Sequence, residues 1–130
     1  NLHVGRAHSQ YLGLPDPGTD YDKIVGIFMP QLVAAQQSFA DEMLNHVNAY
    51  RGVRYADDAA IAFVEITNED SFFMWNGEES LRNLPAFYAT ELQDQYNTWL
   101  LARYGSRAGL DDRRRTLRVL LEDHGTHSAQ

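Results

Sequence analysis

Asn68-Glu69 closes an eight-residue apolar run, Ala59-Ala60-Ile61-Ala62-Phe63-Val64-Glu65-Ile66, broken only by Glu65. A short continuous run of this kind suits a parallel strand covered on both faces. Ligands gather where such strands end, because there the sheet stops and the loops converge. A carboxyl group at that edge is placed for proton transfer, and partial withdrawal from water against aromatic neighbours would raise its pKa as a general acid requires. Glu69 is therefore the candidate for proton transfer. The next loop, Phe72-Phe73-Met74-Trp75, offers Trp75 as a flat aromatic platform for a ligand, although aromatic loops also simply pack.

These residues need elements to hold them. In strict alternation Ala62, Val64 and Ile66 share one face, expected to be covered by a helix, while Phe63, Glu65 and Thr67 share the other. Upstream, Asn1-Leu2-His3-Val4 has the rhythm of a strand entered partway, which leads us to expect an internal piece of a longer chain. A long irregular stretch from Gly5 to Met29, rich in Gly and Pro, comes next; loops of that length are uncommon and often functional. Pro30 sits where a first-turn proline is tolerated. Leu32, Val33, Gln36, Phe39, Ala40, Met43, Leu44 and Val47 then recur at three and four, predicting a helix from about Pro30 to Val47. Pro85 opens a second helix, with Trp99 expected in its core stripe and Gly105 ending it. A third, polar helix is expected from Asp111 to Asp123. The order of strands and helices predicts βαβ units and a parallel sheet.

The run Glu65-Ile66-Thr67-Asn68-Glu69 resembles the fourth-strand signature of clan A glycoside hydrolases, especially glycoside hydrolase family 5. Asn1-Leu2-His3 resembles the end of that family's third strand, where a histidine lines the sugar site, and the resemblance runs to about Gly105; residues 106–130 carry none. It implies a partial (β/α)8 barrel, one catalytic domain of which residues 1–130 are a fragment. It also implies hydrolysis of a β-glycosidic bond with retention, acting on a carbohydrate substrate without a cofactor. Glu69 would be the acid/base, Asn68 would contact the sugar 2-hydroxyl, and the nucleophile would lie on a seventh strand outside this chain. An extracellular or periplasmic setting is implied by the resemblance alone. Asp70 stands where the family usually has Pro or Val, and Ala62 replaces a larger aliphatic, which bears on subfamily and substrate.

Composition narrows the alternatives. With 44% hydrophobic and 22% charged residues the chain is that of a globular domain, and a formal net charge of −7 argues against gripping phosphate backbones. Arg113-Arg114-Arg115 reads as a solvated helix face. Without cysteine there is no disulfide framework or thiolate metal site, and His8, His46, His124 and His127 show no spacing that gathers three ligands. No apolar run approaches the roughly 20 residues that span a bilayer. His3 reads equally as a sugar-lining or a hydrogen-bonded core histidine, and Glu65 as an interior acid paired with an Arg or Lys outside this chain. Two other functions remain open: a noncatalytic carbohydrate-binding barrel, and a small α/β interaction module.

Overall fold

In the computed structural model, residues 1–18, 22–73 and 76–115 are described. The chain divides into two compact units, Asn1–Leu92 and Gln93–Gln130.

The first unit contains both strands found among the described residues. Strand β1 (Leu2–His3) pairs in parallel with β2 (Val64–Glu65), in the register Leu2 to Val64 and His3 to Glu65. The Leu2 N–H donates to the Phe63 carbonyl and the Val4 N–H to the Glu65 carbonyl, each at 2.9 Å. Between the strands runs helix α1 (Pro30–Asn45), so strand, helix and parallel strand succeed one another as the sequence pattern predicts. Pro30 occupies the first turn after an extended Met29, a position where its missing N–H costs nothing. The regular pairing in β2 is far shorter than the apolar run from Ala59 to Ile66. Nor is the aliphatic face covered: Val64 is 45% and Ile66 70% exposed. The reason is that β1 supplies one hydrogen-bonding edge only, and no helix among the described residues is packed over Val64 and Ile66.

Gly5 ends the pairing. A β-carbon built there would fall inside the van der Waals envelope of the Ile66 carbonyl oxygen, so only glycine lets the two backbones approach this closely as they leave the sheet.

The core lies elsewhere. Ile24, Val25, Phe28, Met29, Leu32 and Tyr88 form one buried cluster, with Ala7, Leu14, Phe72, Leu81, Leu84 and Leu92 packed against it. Most of it comes from the stretch expected to be an irregular loop. Among its described residues that segment includes the short 3-10 turns Ser9–Leu12 and Val25–Ile27, the first closed by Gly13 at φ 67°. The second runs into α1, so Ile24, Val25, Phe28 and Met29 sit on one side and reach Leu32. Helix α1 adds Leu32, helix α3 (Ala86–Tyr104) adds Tyr88, and Leu81 of α2 (Gly77–Arg82) packs against them.

Between α1 and β2 the chain makes a small hairpin. Val47 and Arg54 bridge in antiparallel fashion, the Tyr55 N–H donates to the His46 carbonyl, and Gly52 takes a left-handed φ of 67° in the turn. Arg51 reaches from that turn to the buried Asp58 at 2.9 Å, and Asp58 also accepts from the Ala60 N–H. This fixes the approach to β2.

In the second unit α3 ends at Gly105, whose φ is 69° and whose N–H donates to the Leu101 carbonyl at 2.8 Å, as the sequence predicts. Trp99 is a correction: it is half-exposed, stacked on Tyr96 with ring centroids 6.2 Å apart and edge-on to Tyr104. Its helical spacing is right, but among the described residues no apolar layer covers Trp99. A further helical segment covers residues 107–115, with Arg113, Arg114 and Arg115 exposed. The expected helix from Asp111 to Asp123 begins earlier than predicted, and its portion after residue 115 lies outside the described residues.

Candidate functional site

Parallel pairing puts the carboxyl ends of β1 and β2 side by side. His3 closes β1 opposite Glu65, and Asn68, Glu69 and Asp70 come after β2 on the same edge. The sequence thus brings His3 and the Asn68-Glu69 pair to one end of the sheet, which is where α/β folds collect their ligands. Trp75 lies outside the described residues.

The carboxyl group of Glu69 is not withdrawn among aromatic rings as the sequence reading expects. Its side chain is 54% exposed, and the partner it finds is Lys23, whose ammonium donates to Oε2 at 3.1 Å. Glu69 has a φ of 61°, a left-handed conformation that costs a residue with a β-carbon roughly 1–2 kcal/mol. Strained residues of this kind cluster at functional sites. Asn68 is exposed beside it.

Burial acts instead on the next residue. Asp70 is half-buried, its Oδ1 is shielded from solvent without a hydrogen-bond partner, and burial raises its pKa above the ordinary carboxylate value. The positive charges of Arg6 and Lys23, and His3, pull in the opposite direction without cancelling that effect. His3 is half-buried too, and its Nε2 is likewise shielded and unpartnered. Solvent-shielded polar atoms without a partner are uncommon in folded chains, and two of them lie at this end of the sheet. Glu65, expected to pair with a cation outside this chain, accepts a hydrogen bond from the Asn1 side-chain amide at 2.6 Å.

Two residues near this edge, Lys23 and Asp22, have no part in the sequence analysis, and Asp70 enters it only as a departure from the family pattern. Asp22 is buried and takes hydrogen bonds from both the backbone N–H and the hydroxyl of Ser9, the latter at 3.2 Å, with His8 Nδ1 at 4.0 Å. The Ser9 hydroxyl is directed at the Asp22 carboxylate, the reverse of the order in which a nucleophilic relay passes from serine through imidazole to carboxylate. They close the long segment on itself. The available signal was Asp22-Lys23 placed immediately before the apolar residues Ile24 and Val25, because burial of those two neighbours anchors the backbone that carries the charged pair.

Among the described residues no group of three or more His, Asp or Glu side chains is gathered as a metal site, and no helix is long and apolar enough to cross a membrane. Compared with known protein families, with curated proteins and with solved structures, the chain matches none.

Proposed function

We propose that this chain supplies the third and fourth strands of a (β/α)8 barrel in a retaining β-glycoside hydrolase, with Glu69 as general acid/base. One observation carries the reading. The parallel register that sets His3 beside Glu65 brings His3, Asn68 and Glu69 to one carboxyl edge of adjacent strands joined through a helix. That is the arrangement the resemblance of Glu65-Ile66-Thr67-Asn68-Glu69 calls for. The uncovered Val64 and Ile66 support it further, since a barrel strand has neighbours on both edges and a helix behind it.

In this reading Glu69 gives its proton to the leaving glycosidic oxygen while a second carboxylate, on another strand of the barrel, attacks the anomeric carbon. In the second half it takes a proton from the water that releases the sugar. Asn68 holds the 2-hydroxyl of the sugar, a contact that strengthens as the oxocarbenium-like transition state forms. His3 lines the same subsite. A substrate of the β-glucan or β-mannan class fits such a site.

The test is Glu69→Gln in the complete protein. Turnover of unactivated oligosaccharides should fall by several orders of magnitude, while formation of the glycosyl intermediate from dinitrophenyl glycosides, whose leaving group needs no proton, persists. Azide should then restore turnover by attacking that intermediate without base catalysis. Near-parental activity of the variant on a natural glycan would remove Glu69 from the mechanism. Glycan binding without hydrolysis by the parent would make the barrel a carbohydrate-binding one.

A further inference from the structure

The Lys23–Glu69 contact joins residues 46 apart in sequence. An exposed lysine–carboxylate pair usually contributes about 0–1 kcal/mol, because it is solvated and the lysine loses rotamer freedom in forming it. This pair is built differently. The Lys23 side chain is only 11% exposed. On one side of it Asp22 is tied to the Ser9 N–H and hydroxyl, and on the other Ile24 is fully buried in the core. The lysine is thus held between two anchors, at the end of a segment whose own folding brings it to the carboxyl edge of β2. Glu69, by contrast, is an exposed side chain on a left-handed backbone, and its Oε2 accepts from the Lys23 ammonium.

We propose that Lys23 is a positioning residue for Glu69: its ammonium holds Oε2 and thereby aims Oε1 at the glycosidic oxygen. The proposal rests on the glycosidase reading above and adds to it a part for the segment between β1 and α1. That segment becomes a support of the acid/base and not merely a connection. A reacting oxygen displaced by about 1 Å can cost on the order of a hundredfold in rate, so a contact of little value to stability still matters to turnover.

The experiment is a double-mutant cycle in the complete protein, with cello- or manno-oligosaccharides and a dinitrophenyl glycoside as substrates. Lys23→Met should lower kcat on the oligosaccharide by about tenfold to a hundredfold with little change in KM, and do much less to glycosylation by the dinitrophenyl substrate. Lys23→Arg should recover most of the loss. In the Glu69→Gln background Lys23→Met should cause no further loss, because a positioning residue has nothing left to position. Additive losses in the cycle, or a Lys23→Arg variant as slow as Lys23→Met, would overturn the proposal while leaving Glu69 in place. If Glu69→Gln alone is as active as the parent, the glycosidase reading itself fails. Loss of the cooperative thermal transition in both Lys23→Met and Lys23→Gln would make the lysine structural and sink the positioning role.

Discussion

The segment from Ile24 to Leu32 and the run from Phe63 to Ile66 around β2 are both rich in apolar residues, yet among the described residues the first supplies most of the core and the second is largely exposed. Ile24, Val25 and Leu32 are inaccessible to solvent, whereas Phe63 is 73% exposed. The difference lies in what each needs for burial. A helical turn satisfies its own backbone and needs only an apolar surface to lie on, which Tyr88 and the α2 region provide. A strand needs a hydrogen-bonding partner on each edge and a layer on each face, and among the described residues β2 has one partner. Hydrophobicity alone therefore does not locate a core; the number of neighbours an element requires decides whether its apolar residues are covered.

Substitution by alanine separates the two regions most sharply. Leu32→Ala, which leaves a hole among Ile24, Phe28, Met29 and Tyr88, should destabilise the chain by about 2–5 kcal/mol. Val64→Ala in the same chain should cost less than about 0.5 kcal/mol, the usual range for an exposed position. Urea midpoints of the two variants check this. In the complete barrel proposed above, the cost of Val64→Ala should rise toward the core value, and equal costs in chain and barrel would contradict the covered-strand reading.

The next largest effect is expected at the seam between β1 and β2. Gly5→Ala forces a methyl group against the Ile66 carbonyl, which is backbone and cannot rotate away, so the strands must part. A cost of about 1–3 kcal/mol is expected for overpacking of this kind. Loss of amide-exchange protection should be confined to Val4 and its surroundings, whose N–H donates to the Glu65 carbonyl. A variant with unchanged protection there would show that the pairing does not depend on the close approach at Gly5.

Much of this was legible in the residues. Pro30 and the three-and-four spacing after it marked α1, and Gly105 marked the end of α3, because local backbone requirements leave a local trace. The parallel pairing of Leu2 with Val64 agrees with the order of elements. The core segment was missed because Gly and Pro between residues 13 and 18 dominate the stretch. The spacing of Ile24, Val25, Phe28 and Met29, at one and four, is nevertheless that of a helical face leading to Leu32. Trp99 shows the converse: its spacing is helical, but spacing does not say whether a covering layer is present. At the site, Asn68 and Glu69 could be found from the strand they end. Lys23 could not, because the contact depends on how a long irregular segment closes through Asp22 and Ser9.

Asp70 offers the smallest effect and tests whether burial or charge governs the carboxyl edge. Burial raises its pKa from 3.8, with Arg6, Lys23 and His3 acting against that rise. A carboxyl group whose pKa is higher in the folded than in the unfolded chain favours the fold while it is protonated. That contribution is complete below pH 3.8 and is lost as the pH climbs through the folded-state value. At neutral pH the ionised Asp70 therefore works against folding. Asp70→Asn, which keeps the shape and removes the charge, should raise the urea midpoint slightly at about pH 7, and the gain should vanish by about pH 3. The shift should be small, because the residue is only half-buried and solvent screens it. A variant less stable than the parent at neutral pH would mean that attraction to Arg6 and Lys23 outweighs burial. The edge would then be an ion-pair network centred on Asp70, with Glu69 at its margin.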